Sequence, residues 1–148
     1  MHADNVRTIR EVDVCRGSSG SAVELPHDHK NHWRLNDGDS GVRALVFDVL
    51  RGPERLPNAL NAVPAHQAGS FDDETQRQFG AFLKQVTQGR SDVPLVFYCG
   101  GMQCWMSYNA ALRASRLGYR QVLWDRGGLE AWKAARLPVM PGQGGGAR

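Results

Sequence analysis

Three short apolar runs, Ala44–Leu50, Pro94–Tyr98 and Gln121–Trp124, alternate with segments of helical character, and this alternation limits what the chain can fold into. Each run is apolar nearly throughout rather than at every second residue. That is the pattern of strands buried on both faces, as in parallel sheets. Between them, Asp72 or Asp73 is placed to cap a helix reaching about Gln88, with Phe79, Phe82, Leu83 and Val86 on one face and Gly89 to end it. A second helix is expected from about Ser107 to Leu117, stopped by Gly118. A short third one is expected from Leu129 to Ala135, after the Gly127–Gly128 turn and before Pro138. Strand and helix in succession predict an α/β fold of three layers, a parallel sheet with helices on both faces.

The rest of the chain is less patterned. Residues 1–43 are polar and rich in Gly, Ser, Asp and His, and only Val12–Val14 and Ala22–Leu25 offer short strand candidates. An irregular lead-in is therefore expected before a domain over 44–140, with a flexible Gly-rich tail over 141–148. Pro53, Pro57 and Pro64 make 51–67 a loop. The 148 residues suffice for one domain with a proper core, and 41% hydrophobic with 22% charged residues is a soluble globular composition. The 18 Lys and Arg leave a net charge of +3 but form no run and no aromatic interleaving, so no nucleic-acid partner is expected. Nor is a membrane span, because no stretch approaches the roughly 18 apolar residues it requires. The N-terminus carries no apolar signal core, which favours the cytoplasm, or the periplasm if the chain is a trimmed form. Three cysteines, Cys15, Cys99 and Cys104, are too few and odd in number for a disulfide framework and fit a reducing compartment with one or two reactive thiols.

Chemistry concentrates on Cys99, which directly follows a buried strand and precedes a helix. In open parallel sheets, sites lie beyond the carboxyl ends of strands. Gly100 and Gly101 permit a tight turn with amides aimed inward, and the following helix directs the positive end of its dipole at the loop. A sulfur held there is stabilised as an anion, as a persulfide or oxyanion would be. The bland alternative is an inert buried cysteine at a strand end. Asp48, at another strand end, reads as structural, accepting amide hydrogen bonds or pairing with Arg51. Ser107 reads as an N-cap, Trp105 as part of the pocket mouth or simple packing, and Trp124 and Trp132 as core. His27, His29 and His32 fall within six residues, but in a polar loop with no outside ligand, so no metal is expected. Cys15 receives no role.

The stretch from Phe97-Tyr98-Cys99 through Ser107-Tyr108-Asn109-Ala110-Ala111 to Leu117-Gly118-Tyr119 resembles the active-site segment of rhodanese domains. Gly127-Gly128-Leu129-Glu130-Ala131-Trp132 with Leu137-Pro138-Val139 is similar to the Gly-Gly-Leu-x-Ala-Trp…Leu-Pro-Val ending of that family. Phe47-Asp48-Val49-Leu50-Arg51 and Leu56-Pro57-Asn58-Ala59 resemble its Asp-Val-Arg and Ile-Pro-Gly-Ala segments. The likeness covers roughly residues 44 to 140. It implies a rhodanese-like fold, Cys99 as nucleophile, Gly100 to Trp105 and Ser107 around the substrate, and no cofactor. The loop from Cys99 to Met106 is nevertheless longer than the usual sulfurtransferase loop, and Cys104-Trp105-Met106 stands where a basic residue is usual. That departure resembles the rhodanese-related CXXCW-motif proteins associated with PQQ-dependent catabolism, although four residues separate the cysteines here.

Three functions follow. The first is a sulfurtransferase or sulfur carrier with a Cys99 persulfide, taking sulfur from a small donor and passing it to a thiol, free or on a protein. Without a loop cation only amides, Arg51 and Arg126 remain to bind a donor, so efficient use of doubly charged thiosulfate is not expected. The second is thiol–disulfide redox, with Cys104 attacking an oxidised Cys99, against a reading of Cys104 as a loop anchor packed on Trp105. The third is a silent binding module on the same scaffold. Phosphatase chemistry is excluded, because the position six after the nucleophile, where it needs Arg, is Trp105.

Overall fold

The computed structural model describes residues 9–16, 22–25, 32–36, 41–50, 52–62, 65, 67 and 69–142. In chain order these form β1 (Arg10–Glu11), β2 (Val14–Arg16), β3 (Val23–Leu25), β4 (Trp33–Asn36), β5 (Gly41–Asp48), β6 (Glu54–Arg55), β7 (Leu60–Asn61), α1 (Glu74–Thr87), β8 (Leu95–Tyr98), α2 (Met106–Arg116), β9 (Val122–Asp125), α3 (Gly128–Ala134) and β10 (Met140–Pro141). The main sheet runs β1-β9-β8-β5-β4-β3-β2, with β7 also on β5. The pairs β1–β9, β9–β8, β8–β5 and β5–β7 are parallel, whereas β4 lies antiparallel to both β5 and β3. The fold is the expected α/β arrangement, a curled and mainly parallel sheet with helices on both faces.

Side-chain alternation divides the core. Leu95 and Phe97 of β8 and Val122 of β9 join Phe47 under α1 and α2, where Phe79, Leu83, Ala110, Ala111 and Ala114 meet them. Val96, Tyr98 and Leu123 face the other way, towards Leu129 and Trp132 of α3 and Trp33 and Leu35 of β4. Helix α1 starts at Asp73, whose carboxylate accepts from the Gln76 amide at 2.7 Å. The same carboxylate takes Nη1 and Nη2 of the buried Arg113 on α2, at 2.9 and 3.1 Å, and so joins the two helices.

The polar N-terminal third departs from expectation. Instead of an irregular lead-in to residue 43, its described residues carry β1 to β4 and the start of β5. None of these early strands buries more than two side chains: β3 buries Val23 and Leu25, β4 buries Trp33 and Leu35, and β1 and β2 bury none fully. Patterning cannot resolve so short a signal; pairing with β5 and β9 supplies what local sequence does not. The loop over 51–67 likewise holds β6 and β7. Met140–Pro141, the second of which falls in the expected tail, pairs antiparallel with β6. Residues 143–148 lie outside the described residues. No helix among the described residues is long and apolar enough to cross a membrane.

Candidate active site

Cys99 follows β8 directly and continues its alternation. It shares the face of Leu95 and Phe97, so its sulfur points towards the start of α2 and the residue is 1% exposed. Cys99 and Cys104 are joined by a disulfide, with Cα atoms 6.3 Å apart. The Cys99 sulfur also lies 3.2 Å from the Cys104 carbonyl oxygen and 3.4 Å from Ser107 Oγ. Among the described residues no backbone amide donates to that sulfur in this disulfide form. The loop instead folds on itself, with the Cys104 amide donating to the Gly101 carbonyl at 2.9 Å.

Ser107 is not the N-cap. Helix α2 begins at Met106, with Trp105 in the cap position and no side-chain capping bond. Ser107 is buried in the first turn, where Trp124 Nε1 donates to its oxygen at 2.8 Å. An indole N–H can only donate, so Ser107 is the acceptor in that pair, and because the disulfide sulfur of Cys99 carries no proton the Ser107 hydroxyl is the donor to it. That donor stands at the positive end of α2.

The carbonyls of the loop are held by α3. The Leu129 amide donates to the Cys99 carbonyl at 2.9 Å and the Glu130 amide to the Gly100 carbonyl at 2.8 Å. Gly128 permits this approach. Its φ is +61°, and a Cβ there would collide with the Cys99 carbonyl oxygen. Gly128 rather than Gly100 or Gly101 takes the left-handed conformation. Gly101 is confined differently, since a Cβ on it would come within 2.7 Å of Glu130 Oε1.

Around the disulfide the rim is open. Met102 is 54% and Trp105 50% exposed, Gln103 is exposed, and Gly100, Gly101 and Cys104 are half-buried. Trp105 packs on Trp124 and Tyr108, with ring centroids 5.1 and 5.6 Å away. The Arg126 guanidinium sits 5.3 Å from the Trp105 ring and 5.6 Å from that of Trp124, while its buried Nε has no hydrogen-bond partner among the described residues. Arg126 is thus brought to the loop; Arg51 lies outside the described residues. A cavity of about 510 Å³, lined by His32, Arg43, Arg55 and Asn58 among others, contains no residue of the 99–107 loop.

Asp48 lies on the Tyr98 side of the sheet. Its two oxygens accept from the Leu50 amide and from the Tyr98 hydroxyl, each at 2.7 Å. Burial and the nearby Asp48 charge push the Tyr98 phenol up, so it stays protonated and donates. Asp125, at the end of β9, is a buried acid that sequence reading passes over. Burial pushes it up to about 7; Oδ1 accepts from the Gly128 amide at 3.3 Å and Oδ2 has no partner among the described residues. A carboxylate closing an apolar strand just before Gly-Gly is the signal that could have found it. Among the described residues no group of three His, Cys, Asp or Glu side chains could hold a metal ion, and His27 and His29 lie outside them.

No curated protein matches the chain. The rhodanese-like domain family model, however, matches residues 33–135, from β4 through α3 and across the entire Cys99 loop, and the chain belongs to that family.

Proposed function

We propose that the protein handles sulfane sulfur as a persulfide on Cys99. The Cys99 thiolate of the dithiol form attacks the sulfane sulfur of a small donor, the donor's remainder leaves with the bonding electrons, and the terminal sulfur then passes to an acceptor thiol. The observation that carries this reading is the Ser107 hydroxyl, which lies 3.4 Å from Cys99 Sγ and accepts from the Trp124 N–H, so that its own proton is available to a sulfur anion. A neutral donor and a helix N-terminus suit a sulfur bearing one negative charge. They suit doubly charged thiosulfate less, since the loop itself carries no Lys or Arg and Arg126 is spread over two indoles. The Cys104-Trp105 pair, in place of the usual basic residue, favours the CXXCW-motif branch. Incubation of the reduced chain carrying Cys104→Ser, which has no second thiol on the loop to discharge a persulfide, with methanethiosulfonate, a singly charged donor, is expected to add the mass of one sulfur atom to Cys99. An intact mass that never changes, or changes equally in Cys99→Ser, removes the proposal.

A second reading, thiol–disulfide exchange, is favoured by the Cys99–Cys104 disulfide itself. It predicts that glutathione buffers of rising oxidised fraction convert the pair to the disulfide. Two thiols that stay reduced across physiological potentials exclude it.

A further inference from the structure

We infer that Cys104 discharges the Cys99 persulfide as hydrosulfide, which makes the protein a reductase of sulfane sulfur regenerated by an external dithiol. The inference rests on persulfide formation at Cys99 and assigns its fate. The Gly101–Cys104 turn, closed by the 2.9 Å amide bond, folds Cys104 back over the strand end, and α3 holds the Cys99 and Gly100 carbonyls in place. The two sulfurs are within bonding reach in this arrangement, so Cys104 can attack the Cys99 sulfur with the loop as it stands.

Three observations favour this route over transfer to an outside thiol. Cys99 is 1% exposed, and its sulfur is covered by Cys104 and by the first turn of α2. Among the described residues no backbone amide donates to the Cys99 sulfur, and Ser107 is the one side-chain hydroxyl within hydrogen-bond distance of it. An internal thiol five residues away also acts at an effective concentration that millimolar free thiols do not match.

The step balances without further reactants. Cys99–S–S⁻ and Cys104–SH give the Cys99–Cys104 disulfide and HS⁻. A bond forms between the two cysteine sulfurs, and the bond from Cys99 Sγ to the outer sulfur breaks. The outer sulfur leaves with that electron pair and takes the proton from the Cys104 thiol. The two cysteine sulfurs are oxidised together by two electrons, and the sulfane sulfur is reduced by two. Hydrosulfide is a good leaving group in thiol exchange because its conjugate acid is acidic. A dithiol reductant then restores both thiols, so in a reaction sequence the protein stands between a source of sulfane sulfur and a step that consumes free sulfide.

The test uses the full chain, reduced and freed of reductant, with methanethiosulfonate as donor, because its leaving group, methanesulfinate, contributes no sulfide. The wild type is expected to release about one hydrosulfide per chain and to end two hydrogen masses lighter, with Cys99 linked to Cys104 in its peptide map. Cys104→Ser is expected to release none and to keep one extra sulfur on Cys99. A wild type that retains the added sulfur, releases no hydrosulfide and leaves Cys104 titratable overturns the inference while the persulfide reading stands. If neither protein gains sulfur or releases hydrosulfide, the persulfide reading fails and the inference with it. The wild-type measurement decides alone if Cys104→Ser does not fold.

Discussion

Ser107 and Trp124 form a two-residue device whose polarity is fixed by chemistry rather than by fine geometry. Trp124 Nε1 has one proton and no acceptor capacity, so Ser107 accepts from it at 2.8 Å, and a Cys99 thiolate, 3.4 Å away and without a proton, can only accept from the Ser107 hydroxyl. A hydrogen bond to a charged group contributes roughly 1.5–3 kcal/mol. Ser107→Ala is therefore expected to slow carbamidomethylation of Cys99 in the dithiol form at pH 7 by about tenfold. Trp124→Phe, which leaves the hydroxyl free to turn away, should slow it less. Peptide mapping separates Cys99 from Cys104 and Cys15, and equal rates in wild type and Ser107→Ala would sink the assignment. The sequence pointed to Ser107 but misread it, since a Ser at a helix start resembles an N-cap. Only β9, placing Trp124 across from α2, reveals the other role, and no local pattern encodes that meeting.

At the level of elements, legibility follows length and burial. Strands β8 and β9 and helices α1 and α2 lie within a residue or two of their expected bounds, because each is a sustained apolar run or face with capping residues such as Asp73 and Gly118. Of strands β1 to β4 the sequence suggested only β3, within the Ala22–Leu25 candidate, and Val14 at the start of β2, for each strand contributes too few inward side chains to establish a period of two. They are strands because β9 presents an open edge to β1 and β5 one to β4, on which β3 and then β2 build. The site divides in the same way. Cys99 was found because its position at a strand end is a property of one element. The grip of α3 on the Cys99 and Gly100 carbonyls, and the left-handed Gly128 that allows it, depend on two elements meeting. In the sequence, Gly127-Gly128 marked a turn and part of a family-like ending, but not this contact. The disulfide belongs to this second group too, since a spacing of five residues permits a Cys99–Cys104 bond but does not require one.

Taken as a whole, the molecule places a carboxyl where closure of the sheet makes it costly. Strand β1 pairs with β9, with Glu11 opposite Trp124, and so brings Glu11 and Asp13 near Asp125. Burial is the main cause that raises Asp125 from 3.8 to about 7, and those two charges add to it, against hydrogen bonds from the Gly128 and Gly127 amides. In the unfolded chain the same group titrates near 4. Between those values the folded state binds a proton that the unfolded state has lost. The stability from protonated Asp125 is therefore fully present below about pH 4 and declines as pH rises to about 7, by up to roughly 4 kcal/mol. Asp73 acts oppositely. Its bonds from Arg113, and then from the Gln76 amide, hold it below the usual carboxylate range, so its contribution is present above that range and is lost only in stronger acid. The two windows do not overlap, which allows them to be separated. Urea unfolding of the disulfide form is expected to show lower stability at about pH 8 than at about pH 5, with a melting temperature lower by on the order of 10 °C. Asp125→Asn keeps an acceptor for the Gly128 amide and removes the titration, so its stability should be nearly level across that interval while its loss in stronger acid remains. A variant that declines between pH 5 and 8 as steeply as the wild type would show that Asp125 titrates in the folded protein as it does in the open chain.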